Sequence, residues 1–180
     1  IFIFGMGGYF VLHQGGFFLA IASFALCSLM IGFLLWNFPP AKMFLGDVGS
    51  TFIGFIIPIF AIFAEKHYHL PALLWVMLYG FFIFDATLTL IRRIFHEAQW
   101  YHPHRLYGFK RLQLKYASHA KALFIICGIN CIIGFLTYFA FLHQRYLLIY
   151  FVIEWLVLFL FYIWLERKYP MYFKVTRVHD

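Results

Sequence analysis

Apolar residues in this chain fall into long unbroken runs separated by short polar intervals, a pattern unlike the one-faced helices and alternating strands of soluble domains. Five runs are long enough to cross a hydrocarbon layer of roughly 30 Å at about 1.5 Å per helical residue. They are Phe17–Trp36, Val48–Ala64, Ala72–Ile91, Ala122–Leu142 and Tyr146–Leu165. A sixth, Ile1–Leu12, is too short to span. The pattern predicts an all-α fold: a polytopic transmembrane helical bundle, with residues 1–180 forming a single membrane domain. The predicted turns His13–Gly16, Glu65–Pro71 and His143–Arg145 are short, whereas the segments 37–50 and 92–119 are longer and rich in Gly, Asp, His and Arg. Chemistry is expected in those two loops.

Composition supports the same class. The chain is 64% hydrophobic and 12% charged, with a mean hydropathy of +0.85, where a soluble domain is about 45–50% apolar and about 25% charged. The net charge of +7 raises the question of nucleic acid, but the distribution of charge answers it. With loop 37–50 placed in the cytoplasm and the spans alternated, only Lys66 and Arg145 of the 14 Lys and Arg face outward. Such asymmetry is the positive-inside signature of membrane topology, so no nucleic-acid partner is expected. Cys127 and Cys131 share a helix face at i, i+4, but with no third ligand nearby they read as small packing residues.

The segment Asn37–Ser50 reads NFPPAKMFLGDVGS. Pro39 and Pro40 stop the preceding helix, and Gly46 and Gly49 allow tight backbone around Asp47. Asp47 or Ser50 could cap the next helix. Equally, a carboxylate beside a helix start at the membrane surface suits Mg²⁺ bridging a diphosphate. The second loop follows a span containing Asp85. An ionisable group inside a span is a functional candidate, and Asp85, Thr89 and Arg92 at i, i+4, i+7 could carry an Asp–Arg pair toward the surface, for packing or for substrate. Beyond it stand His102, Pro103, His104 and Arg105. In an extended segment His102 and His104 point the same way, and beside Arg105 they suit phosphate oxygens better than zinc. Glu154 and Asn130 lie within spans, where Glu154 reads as structural and Asn130 as a hydrogen-bond donor between helices.

These residues carry a resemblance. Asn37, Pro40, Ala41, Phe44, Gly46, Asp47, Gly49 and Ser50 match the Asn-x-x-Pro-Ala-x-x-Phe-x-Gly-Asp-x-Gly-Ser signature of the MraY/WecA polyprenyl-phosphate sugar-1-phosphate transferases (glycosyltransferase 4). Asp85, Thr89, Arg92 and Arg93 resemble the segment before the family's histidine loop. His104 and Arg105 resemble that loop itself, although Leu106–Lys110 depart from it, which leaves the sugar open. Ser118 and His119 also look like the family, with Ser118 a candidate N-cap. The resemblance implies transfer of a sugar 1-phosphate from a UDP-sugar, N-acetylated amino sugars being the expected class, to undecaprenyl or polyprenyl phosphate. UMP would be released, in cell-wall or lipopolysaccharide synthesis at the bacterial inner membrane.

It further implies Asp47 and His104 as catalytic residues, with Asp47 also the Mg²⁺ ligand. Asn37, His102, Arg105 and Asp85 would bind substrate. A homodimer is compatible with this reading. The family also carries an upstream acidic motif, and no Asp or Glu precedes Asp47 here. The chain, starting within an apolar run, therefore reads as the C-terminal part of a larger transferase, inert by itself. The competing readings are a transporter or channel, and an inactive fragment of the transferase.

Overall fold

A computed structural model describes residues 1–38, 42–96 and 119–168. Its elements are α1 (Phe2–His13), α2 (Phe17–Asn37), α3 (Gly46–Tyr68), α4 (Ala72–Leu78), α5 (Gly80–His96), α6 (His119–Leu142), a 3₁₀ turn (Gln144–Tyr146) and α7 (Leu147–Lys168). No strand occurs among the described residues. The protein is an all-α membrane bundle. Four helices are long and apolar enough to span: α2, α3, α6 and α7. Phe18, Leu35, Phe55 and Leu148 project outward from them, as lipid-facing side chains do. Only a minority of each span is buried in protein.

The expected span Ala72–Ile91 is broken into two helices, α4 and α5, which together are long and apolar enough to cross but meet at 70°. The physical cause is local. Tyr79 leaves the helix at φ −98°, ψ 3°, and its carbonyl restarts the ladder by accepting from the N–H groups of Phe82 and Ile83. Gly80 follows, and a Cβ there would lie 2.0 Å from Glu154 Oε1 on α7. The missing side chain is what admits the carboxyl group. Hydropathy could not show the break, because a Tyr-Gly junction leaves the run apolar. Glu154 is completely buried, with no hydrogen bond to either carboxyl oxygen among the described residues, and it packs against Gly80 at the start of α5.

Two cores hold the bundle. The first joins α1, α2, α3, α4 and α6 around Phe10, Leu74 and Trp75, with Phe10 stacked on Phe141 at 4.4 Å. Short α1 is thus held by packing: Phe10 and Val11 are fully buried. The second joins α5, α6 and α7 through Phe81, Phe84, Ile133, Leu158, Tyr162 and Leu165. Burying each such side chain is worth about 1.5–3 kcal/mol relative to water, although in lipid the gain is packing and hydrogen bonding instead. The second core carries the polar residues described next.

Two expectations are corrected in the spans. Asn130 does not bridge helices: its Nδ2 donates to Ile126 O at 2.9 Å within α6. Cys127 and Cys131 are exposed on that helix, not packed. The turn expected at Glu65–Pro71 is shorter, because α3 continues to Tyr68 and ends with His69 in the left-handed region at φ 52°.

Candidate functional site

The first loop is closed by contacts between near neighbours. At the end of α2 the Asn37 side chain donates to Met43 O at 2.8 Å. Lys42 N–H donates to Trp36 O at 3.0 Å, and the Lys42 ammonium sits 5.9 Å from the Trp36 ring centroid, within cation–π range. Asn37 therefore acts as a clasp across the loop mouth. Its side chain is engaged with backbone rather than held out toward a ligand. Pro39, Pro40 and Ala41 lie outside the described residues.

Gly46 opens α3 at φ +67°, a conformation that costs non-glycine residues energy. A Cβ at Gly49 would come 2.7 Å from Leu45 Cγ. Both glycines thus serve the tight start of the helix. Asp47 lies in its first turn and is exposed. The capping role open to Asp47 and Ser50 is not adopted. Leu45 is the N-cap with no side-chain bond, and Ser50 Oγ donates to Asp47 O at 3.1 Å from inside the helix. Asp47 therefore offers its carboxylate outward at the positive end of a 23-residue helix.

The second cluster is built across helices. Asp85 is only 7% exposed. Its Oδ1 accepts from Thr89 Oγ1 at 3.4 Å and from the Tyr162 hydroxyl of α7. Arg92 pairs with Glu166, also on α7. The face Asp85–Thr89–Arg92 exists as expected, but the residues that answer it come from α7. Tyr162 and Glu166 were missed by sequence reasoning. Their separations of 77 and 74 residues from their partners leave no local pattern, although their i, i+4 spacing would have marked a shared helix face.

His102, His104 and Arg105 fall outside the described residues, as does Ser118. No hydrogen bond or ion pair among the described residues joins Asp47 or Asn37 to the Asp85 cluster. No group of three His, Cys, Asp or Glu side chains among them is placed to hold a metal. Asp47 supplies a single accessible carboxylate. That fits Mg²⁺, which takes one or two protein carboxylates and completes its shell with phosphate oxygens and water. It does not fit a protein-only cage.

The profile of "Glycosyl transferase family 4" matches residues 1–65, which include the whole Asn37–Ser50 loop. A "Probable undecaprenyl-phosphate N-acetylglucosaminyl 1-phosphate transferase" of Bacillus subtilis is 33% identical over 98 residues, covering 53% of this chain and 27% of the relative. A "Phospho-N-acetylmuramoyl-pentapeptide-transferase" of Anoxybacillus flavithermus is 31% identical over 135 residues, covering 68% and 40%. One of the same name from Bacteroides fragilis is 38% identical over 74 residues, covering 41% and 16%. The chain spans less than half the length of these relatives. No solved structure matches. With its signature loop inside the matched region and an undecaprenyl-phosphate N-acetylglucosaminyl 1-phosphate transferase and phospho-N-acetylmuramoyl-pentapeptide-transferases among its relatives, the chain belongs to glycosyl transferase family 4.

Proposed function

We propose that this chain serves transfer of a sugar 1-phosphate from a UDP-sugar to polyprenyl phosphate, with release of UMP, at the cytoplasmic face of a bacterial inner membrane. The observation that carries the reading is the Asn37–Ser50 loop. It is a clasped turn that sets an unencumbered carboxylate on the first turn of a membrane helix, within the region that matches the family. N-acetylated amino sugars are the proposed class, because the relatives' names concern N-acetylglucosaminyl and N-acetylmuramoyl groups.

In this mechanism the chain's own residues position a dianionic diphosphate beside an anionic lipid phosphate. Phosphoryl transfer of this kind depends on positioning and charge neutralisation. Asp47 would hold Mg²⁺, which when bound neutralises diphosphate charge. His104, with Arg105 and His102, would donate to phosphate oxygens. Asp85, buried and oriented by two hydroxyls, would meet the substrate's hydroxyl or amide groups. Asn37 acts indirectly, by keeping the loop closed. The greasy spans serve the chemistry because the acceptor is itself a bilayer lipid.

The chain alone is proposed to be inert, because Asp47 is the one acidic side chain of loop 37–50, which leaves no second carboxylate there to take a proton or share a metal beside the acceptor phosphate. The test is UMP release from UDP-N-acetylglucosamine with undecaprenyl phosphate and Mg²⁺. Membranes carry the chain alone, or the chain with a relative's N-terminal half. Release only in the second case, abolished by Asp47→Asn, supports the reading; turnover by the chain alone, or release indifferent to Asp47, contradicts it. A transporter would show neither. The cytoplasmic placement is tested separately. In intact cells a cysteine at Lys42 should resist an impermeant thiol reagent, and one at Lys66 should label.

A further inference from the structure

On α7, Glu154, Leu158, Tyr162 and Glu166 recur every fourth residue and so share one face. That face meets α5 along its length. Glu154 abuts Gly80, the Tyr162 hydroxyl donates to Asp85, and Glu166 pairs with Arg92. The Tyr162 ring is 2% exposed and sits 5.2 Å from the Phe84 ring, so its hydroxyl is delivered from a fixed platform. Two hydroxyls, from Thr89 and Tyr162, converge on the same Asp85 oxygen. That carboxylate is therefore held from α7 as well as from α5.

The Arg92–Glu166 pair lies at the rim, with side chains 27% and 32% exposed. A pair so accessible to solvent adds little to stability. What it supplies is direction: it holds a planar guanidinium near the end of α5, which continues to His96 where the sequence predicted a loop from Arg92. Phosphate oxygens can engage such a fork in two-point fashion.

We propose that Tyr162 and Glu166 are positioning residues for the UDP-sugar, Tyr162 through the Asp85 carboxylate that meets its hydroxyl or amide groups and Glu166 through the Arg92 guanidinium that meets its diphosphate. The inference rests on the reading of the preceding subsection and adds the last helix to the site. The test measures binding of UDP-N-acetylglucosamine to the detergent-purified chain alongside its melting temperature. Tyr162→Phe keeps the ring and removes the hydroxyl, Glu166→Gln keeps the shape and removes the charge, and a double variant exchanges Arg92→Glu with Glu166→Arg. Each single variant should weaken binding about fivefold, as expected for one lost orienting hydrogen bond, and Glu166→Asp should recover most of the loss. The exchange should restore the ion pair and the melting temperature but not the binding, which a merely structural pair would not predict. If Tyr162→Phe fails to fold, Glu166→Gln at the rim carries the same test. Parent-like binding in Glu166→Gln, or in the exchanged pair, overturns the proposal alone. A parent chain that binds no UDP-sugar overturns it together with the reading beneath it.

Discussion

The loop between α2 and α3 and the face between α5 and α7 are both polar regions of a greasy protein, built in opposite ways. The loop is closed by contacts six residues apart, such as Asn37 to Met43, and it leaves Asp47 exposed. The interhelical face joins residues more than seventy positions apart and buries Asp85 to 7%. Local clasps can be rebuilt by the backbone around them, so a change in the loop should register in chemistry and leave the fold intact. A buried polar contact between spans has no water to replace a lost partner. A change there should register in stability as well.

The largest effect expected is at Asp47. Asp47→Asn keeps size and removes charge, and transfer by the chain completed with a relative's N-terminal half should fall at least about 100-fold, equivalent to about 3 kcal/mol in the barrier. The melting temperature should not move, because the carboxylate is exposed and makes no described hydrogen bond. A shift in melting with little loss of rate would erase the contrast between the two regions. Asp85→Ala should do the reverse in detergent. It deprives the buried Tyr162 hydroxyl of an acceptor and should cost about 1–3 kcal/mol of stability, read from thermal or denaturant unfolding. If Asp85→Ala melts like the parent, the face is not a structural unit.

Next in size, His104→Ala should weaken UDP-sugar use about tenfold, some 1.4 kcal/mol, and His102→Ala should weaken it less. Equal and small effects would make both histidines solvated loop residues. The smallest effect should be at Asn37. Asn37→Ala loses one partly exposed hydrogen bond to Met43 O, worth about 1 kcal/mol, and should raise proteolytic nicking of the loop before it changes the global melting temperature. A fully native loop in that variant would deny Asn37 its role as clasp.

The same contrast explains what could be read from the sequence. Runs such as Phe17–Trp36 and Ala122–Leu142 located helices within a few residues, because hydropathy is a property of the run itself. The geometry of the loop was legible because it is written in consecutive residues: the left-handed Gly46, the tightly packed Gly49 and the exposed carboxylate between them. The break at Tyr79–Gly80 was not legible, since the junction leaves the run apolar and the Glu154 side chain that packs against Gly80 comes from α7. Tyr162 and Glu166 were passed over for the same reason. A partner 77 residues away leaves no periodicity beside Asp85, and Asn130 shows the converse error, a polar residue in a span whose partner lies in its own helix.

The central claim is that Asp47 and its clasped loop form the metal-assisted nucleotide site, and binding of UDP tests it most directly. Purified chain in detergent is titrated with UDP by calorimetry, with and without Mg²⁺, in parent and Asp47→Asn forms. The account predicts binding that strengthens with Mg²⁺ in the parent and loses that dependence in Asp47→Asn, with melting unchanged in the absence of UDP. Identical Mg²⁺-dependent binding in both forms, or no binding in the parent, would contradict it.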